Sequence, residues 1–471
     1  MTENNSAKVV HTTRIKVLND KTMADGKYVL YWMQQSQRSQ ANHALEYALE
    51  VANHGDLPVL VAFGLSDAYP EANLRHHTFM LEGLRQTQKD LIKRGLKLAL
   101  QLGDPAEVAL KAGRDAALIV CDRGYLRHQR AWRRQVAQEA LCRVVQVESD
   151  VVVPLEVASP KAEYAARTLR PKINKRLKEY LVPLDPIPPR RSSLKLDIPS
   201  IDLESIDGVL GQLDIDRSVP AVSSLFPGGS AAAKRRFQTF FSKKLKHYDD
   251  HGNQPQTDDI SGISPYLHFG QISPLTLALE LMTSRHGKSD PQNRDAFLEQ
   301  LIVRRELAMN FAYYTPDYDA YSAIPGWAEK TLEEHSADPR EYQYSAEELD
   351  AGQTHDPYWN AAMAEMKHTG FMHNYMRMYW GKKILEWSDT PQAAFQTTLA
   401  LNNRYFLDGR DPNSYTGVAW IYGVHDRAWA ERPIFGKIRY MAASGLERKC
   451  DIQAYVKKVE KLVAESRKNG P

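Results

Sequence analysis

Three cysteines in 471 residues, Cys121, Cys142 and Cys450, are too few and too irregularly spaced for a disulfide framework or a zinc site. Such a set fits a reducing compartment, and no metal site is expected. No run of about 18 apolar residues occurs, so no helical membrane span is expected. The first 25 residues are polar and lack the apolar core of a secretory signal, and are expected to form a disordered tail. Charge of one sign is also scarce. The 61 Lys and Arg against 58 Asp and Glu leave only +3, so any basic surface must be local. Neither GxGxxG nor GxxxxGK followed by Ser or Thr is found, which leaves the usual dinucleotide and P-loop chemistries unsupported. There is no internal repeat.

What is present suits a globular chain of two or more domains, at roughly 100–200 residues each. Its 43% hydrophobic and 25% charged residues are ordinary and allow sizeable cores. Residues 27–33 (KYVLYWM), 57–64, 96–102, 116–121 and 144–147 read as strands. Residues 41–54, 73–94, 105–112 and 127–141 read as the helices between them. This alternation predicts βαβ units in a doubly wound parallel sheet over residues 26–150. Residues 151–229, with a Pro- and base-rich stretch at 182–199, read as a surface-wrapping interdomain linker. Residues 230–471 are patterned almost entirely as helix. The expected architecture is an α/β domain, a linker and an all-α domain.

The helical half is organised around residues 371–387, FMHNYMRMYWGKKILEW. Asn374 is suited to cap this helix, and Ser388-Asp389-Thr390-Pro391 to end it. Trp380 and Trp387 lie near one face, ~10.5 Å apart at ~1.5 Å per residue. Arg377, if buried, requires an anionic partner, and Asp408 in LDGRDP is the candidate. The loop Asp258–Pro265 offers serines and Gly262 to an anion. Each feature alone is as well read as core packing or an ordinary turn, including Trp420 within GVAWIYGVHDRAW and the set Trp359, Trp380 and Trp387. Basic segments at 123–134, 170–178, 234–247 and 427–439 read singly as solvated faces.

Together, YWMQQSQR (31–38), ISPYLHFGQIS (263–273), MHNYMRMYWGKKILEW (372–387), NRYFLDGRDPN (403–413) and GVAWIYGVHDRAWAERPIFGKIRYM (417–441) closely resemble the photolyase/cryptochrome family. Within it they resemble the class II cyclobutane pyrimidine dimer photolyases. The resemblance spans residues 27–466 and implies an antenna-type domain followed by a helical domain that binds FAD. It implies that Ser261, Gly262, Ile263 and Ser264 hold the diphosphate, with Tyr248 and Gln271 also at the cofactor. Arg377 and Asp408 would pair beside the isoalloxazine, and Asn402 would bond its N5 edge. Trp380, Trp359 and Trp387 would carry electrons in that order from flavin to surface. Asn374, Met378 and Trp420 would line the lesion pocket, with Arg304, Arg427 and Arg439 at DNA. A deazaflavin or folate antenna is open. The implied partner is UV-damaged DNA, and the implied activity is light-driven splitting of pyrimidine dimers. The protein is expected to be a monomer, cytoplasmic and nucleoid-associated, or nuclear in a eukaryote.

Two positions depart from the family pattern. Gln300 stands where a glutamate that bonds the dimer's carbonyl is expected, and the adjacent Glu299 points elsewhere on the helix. An amide donates a hydrogen bond but not a proton, so repair is expected to be weakened. Ser414 stands where glycine is expected near the flavin. The alternative is a flavin photoreceptor or a damage-binding homologue with little repair.

Overall fold

The computed structural model describes residues 9–468. Six strands form one sheet: β1 (Ile15–Val17), β2 (Tyr28–Trp32), β3 (Val59–Leu65), β4 (Lys97–Leu102), β5 (Ala116–Asp122) and β6 (Arg143–Val147). Their spatial order is β1-β6-β5-β2-β3-β4, with every pair parallel except β1 against β6. The expected disordered tail is therefore corrected in part. Ile15–Val17 pairs with Val145–Val147 as an edge strand, and Arg14 is buried with its guanidinium donating to the carbonyls of Glu148, Val151 and Val152. Residues 1–8 of that expectation lie outside the described residues.

Alternation along β2 shows how the sheet fills both faces. Val29 and Tyr31 pack with helices α1 (His43–His54) and α2 (Leu74–Lys93). Leu30 and Trp32 pack on the other side with α3 (Pro105–Gly113) and α4 (Arg127–Glu139). A strand buried on both faces reads as an unbroken apolar run, as KYVLYWM does. All three cysteines are buried and free. No helix among the described residues is long and apolar enough to cross a membrane.

The segment after the sheet is more than a surface linker. Val152, Leu169, Ile173 and Tyr180 join the same apolar cluster as Phe237, Phe297 and Leu301, so its first part belongs to the helical core. Further on, Arg75 on α2 donates to the carbonyls of Met366, Lys367 and Tyr405, at 2.6–3.3 Å. These carbonyls lie at the ends of α5 (Pro357–Thr369) and α7 (Pro391–Tyr405), where helices leave acceptors unpaired. The site helix α6 (Asn374–Trp387) runs between them, and α8 (Pro412–Ile421) follows.

A buried polar seam joins the two halves. Arg38, at the end of YWMQQSQR, donates to Asp150 at 2.7 Å, Ser149 O at 2.9 Å and Gly270 O at 3.0 Å. Arg38 and Asp150 are each 2% exposed. Gly270 has φ +63°, and a Cβ there would sit 1.9 Å from Gln35 O. Glu306 accepts from Val152 N at 2.6 Å, while its second oxygen is buried without a partner. Burial pushes the Glu306 carboxyl up to about 8, against the backbone N–H groups and Arg305 that favour its ionised form. The folded value exceeds that of an unfolded chain, about 4.3. Its contribution is therefore full below that value and lost as pH rises through about 8. Urea unfolding of Glu306→Gln is expected to show a shallower loss of stability between pH 5 and 9 than the parent, with the variant the more stable at the alkaline end; parallel curves would contradict this.

Candidate active site

One cavity opens into the helical domain, walled by residues of α6, α7 and α8. Its floor is a loop, Ile260–Ser264, whose Gly262 has φ +58°. A Cβ at Gly262 would meet the Arg236 guanidinium at 2.9 Å, so only glycine lets this loop lie so close to that cation. Two half-exposed serines, Ser261 and Ser264, line the cavity beside it. Tyr248 closes this end, held edge-on by Phe240 and Phe297, each at 5.5 Å.

Arg377 and Asp408 form the central ion pair, with Nη2 3.0 and 3.2 Å from the two carboxylate oxygens. The Nε also donates to Met372 O at 3.0 Å, and the guanidinium lies 3.9 Å from the Phe406 ring. Every side of this cation is thus matched by charge, carbonyl or π-face. Arg377 is part-buried, at 21% exposure, with the anionic partner expected for it, and both residues line the cavity.

Asn402, 5% exposed, donates its Nδ2 to Asn403 Oδ1 and to Ser414 Oγ. That fixes the amide and leaves Oδ1 as the acceptor it can offer to the cavity. Ser414, unexpected at its position, thus orients Asn402. Gln300 lines the cavity, whereas Glu299 does not. Glu299 is held by Arg170 through two bonds at 2.7 and 2.9 Å and by Arg304 at 3.3 Å. Residues Glu299–Arg304 form a π-turn, the kind of helix irregularity often placed at functional sites.

Trp380 lines the cavity, 1% exposed, with its indole N–H buried and unpartnered. Trp359 donates its indole N–H to the backbone oxygen of Trp380 at 2.9 Å. Trp359 and Trp387 are edge-to-face with centroids 5.6 Å apart. Three indoles therefore lead away from the cavity in the order 380, 359, 387.

The comparisons with known proteins converge. A family model described as DNA photolyase matches residues 29–191. The deoxyribodipyrimidine photo-lyase of Methanothermobacter thermautotrophicus is 48% identical, over 97% of this chain and 100% of its own. The chain belongs to the DNA photolyase family. The enzyme of the same name from Oryza sativa is 41% identical over 97% of this chain and 92% of its own. An archaeal photolyase from Sulfolobus tokodaii, solved with two FAD molecules, shares the fold at a TM-score of 0.67 and 16% identity, covering 94% of both chains.

For a photolyase, most residues named from the sequence meet in this one cavity: Tyr248, Ser261, Gly262, Ile263, Ser264, Gln300, Asn374, Arg377, Met378, Trp380, Asn402 and Asp408. Others do not. Gln271 is buried at the domain seam, accepting from Gly229 N at 2.6 Å and donating to Phe79 O at 3.2 Å, so it is structural. Asn374 does not cap α6; His373 does, accepting from Tyr375 N, and Asn374 is left free on the cavity wall. Trp387 is not at the surface, being 2% exposed. Trp420 lies outside the cavity lining, on α8 one turn from Gly417, with the Arg304 guanidinium 5.5 Å from its ring. Arg427 and Arg439 lie on either side of Trp429, 5.1 and 5.3 Å from its ring.

Sequence reasoning missed Trp429, 40% exposed between those two arginines, and the pair His268–Asp411 at 3.2 Å in the cavity wall. Alternation of basic and aromatic residues in VHDRAWAER was the available signal for the first. Nothing local marked the second. Asp408→Asn keeps the shape but leaves Arg377 without its counter-charge, and is expected to lower unfolding free energy by about 1–3 kcal/mol; a urea midpoint unchanged from the parent would show that solvent in the cavity already neutralises Arg377.

Proposed function

We propose that this chain is a deoxyribodipyrimidine photo-lyase that holds FAD in the helical-domain cavity and splits cyclobutane pyrimidine dimers in UV-damaged DNA under blue light. The observation that carries this reading is the assembly, in one cavity, of the glycine-serine loop, the Arg377–Asp408 pair, the fixed Asn402 amide and the start of the indole series.

The residues fit such a group. The loop at Ser261, Gly262 and Ser264 offers hydroxyls and a backbone that a phosphate can approach closely. Arg377, balanced by Asp408, offers a cation without excess charge. Asn402 Oδ1 offers an acceptor to a ring N–H. Bound, reduced FAD would supply the photochemistry, lending one electron to the dimer and recovering it after the ring opens. The chain's own residues position and shield. Gln300 donates an amide hydrogen bond to the dimer's carbonyl, and Met378 and Asn374 line the space it enters. The flipped dimer is cheap to unstack because it pairs badly. Arg304 over Trp420, and Arg427 and Arg439 around Trp429, supply cations and aromatic faces for the strand around it.

A second cavity lies at the domain seam, lined by Gln34, Gln35, Tyr69, His77, Trp132 and Arg410. Burial, with Arg410 nearby, lowers His77 to about 4, so that its imidazole is neutral at pH 7. We assign it to an antenna chromophore of the deazaflavin or folate type. The class II assignment, action as a monomer and a place at the nucleoid or in a nucleus belong to the same reading.

The deciding experiment is repair of a thymine-dimer oligonucleotide by photoreduced protein, with and without blue light, beside Gln300→Glu. Light-dependent repair, raised severalfold in the Glu variant, is expected. Binding without repair in either protein would leave a photoreceptor or damage-binding protein. Ser414→Gly frees the Asn402 amide, and the loss of one neutral hydrogen bond, about 0.5–1.5 kcal/mol, lowers the flavin's two-electron potential by ~10–30 mV in a spectroelectrochemical titration.

A further inference from the structure

Trp387 ends the indole series without reaching solvent, since it is 2% exposed. A hole delivered to it needs a way out. Two rings touch its far side: Tyr344 with centroids 5.4 Å apart and His355 at 5.2 Å. Tyr344 and His355 are themselves joined by a hydrogen bond of 2.8 Å between the phenolic oxygen and Nδ1. The same phenolic oxygen accepts the backbone N–H of His355 at 2.9 Å, which leaves its own proton available to Nδ1 when the imidazole carries its proton on Nε2. Tyr342, 40% exposed, stacks flat on His355 with centroids 3.5 Å apart. Trp387, His355 and Tyr342 line one surface cavity together with Lys383, Arg432 and Tyr440.

Packing alone explains aromatic contacts. It does not explain a phenol hydrogen-bonded to an imidazole beside an indole that terminates a redox series. The local charge also favours onward transfer. The Lys383 ammonium is 5.7 Å from the Trp387 ring and disfavours a positive charge there, although Glu386, paired to Lys383 at 2.6 Å, offsets part of this. Oxidising Tyr344 with loss of its proton places the positive charge on His355, which is exposed and hydrated.

Building on the reading of Trp380, Trp359 and Trp387 as an electron path, we infer that Tyr344 and His355 are its terminal relay. The oxidised Trp387 takes one electron from Tyr344. In the same step the phenolic O–H bond breaks and an N–H bond forms at His355 Nδ1, leaving a neutral tyrosyl radical and an imidazolium. A small external thiol from solvent then gives a hydrogen atom to the phenoxyl oxygen, whose bonds to His355 lie exposed, restoring the phenol and leaving a thiyl radical, and the imidazolium releases its proton to water. Tyr344 and His355 act through the tryptophans and touch no substrate.

The test is flash photolysis of the protein carrying oxidised FAD, without thiol, followed by transient absorption and by electron paramagnetic resonance of frozen samples. A tryptophan radical that converts to a tyrosyl radical is expected, with slower conversion in deuterium oxide. Tyr344→Phe should keep the tryptophan radical and lose the tyrosyl signal. His355→Phe keeps the ring stack and should slow conversion by ~100-fold, the low end of what a positioned proton acceptor contributes. Adding dithiothreitol should shorten the tyrosyl lifetime in the parent. A tryptophan radical with no tyrosyl successor in the parent would overturn the relay and leave the indole path standing, as would a tyrosyl signal that survives Tyr344→Phe but disappears in Tyr342→Phe. Absence of any tryptophan radical would overturn both readings.

Discussion

The buried pair of Arg38 and Asp150 is the constraint on which the rest of the molecule depends. Two charges at 2% exposure are costly to desolvate, by several kcal/mol each, unless geometry and further hydrogen bonds compensate. Here the guanidinium also takes the carbonyls of Ser149 and Gly270, one from each side of the domain boundary. That arrangement exists only when the α/β half is seated on the helical half. The seam fixes the Gln34–Gln37 loop, which walls one cavity, and Gly270, which follows the helix carrying His268.

His268 shows what this seating achieves. It lines both the seam cavity and the helical-domain cavity, and bonds Asp411 at 3.2 Å. The two spaces therefore share a wall one side chain thick. Proximity of this kind is set by the domain interface rather than by either domain alone. Arg75 and Gly270 bear on the same interface through backbone contacts, which explains why a half that supplies no proposed catalytic residue is tied so firmly to the one that does.

Within the helical domain, the site works by matching its charged groups and the Asn402 amide to partners before any ligand arrives. Arg377 has Asp408, Met372 O and the Phe406 ring. Asn402 has Ser414 and Asn403. Glu299 is taken by Arg170 and Arg304, which removes it as a substitute for the carboxyl that Gln300 lacks. Such prior organisation limits reorganisation when charge moves. The departures at Gln300 and Ser414 thus differ in kind. The first places an amide in the cavity wall, and the second adds a support behind Asn402.

The sequence by itself determined the local elements and the chemistry they carry. Compact apolar runs made β2–β6 legible, and clean caps at Asp356-Pro357 and Thr390-Pro391 marked α5 and α7. Long motifs in order carried the family and most of the cavity's residues. Only the tertiary structure decided what depends on contacts distant in the chain. The edge strand at Ile15–Val17 is only three residues long and exists because β6 offers it a free edge. The segment after residue 151 looked like a linker because its apolar residues are spread thinly, yet they meet a core contributed by residues far downstream. Gln271 sat within a cofactor motif but faces the seam, since Gly229 and Phe79 reach it first. The burial of Trp387 and the outlet beyond it rest on Tyr344 and His355, more than 30 residues upstream in a stretch with no motif of its own. Propensity and patterning are short-range, whereas desolvation, charge pairing and cavity shape are settled by whichever distant groups fold against a residue.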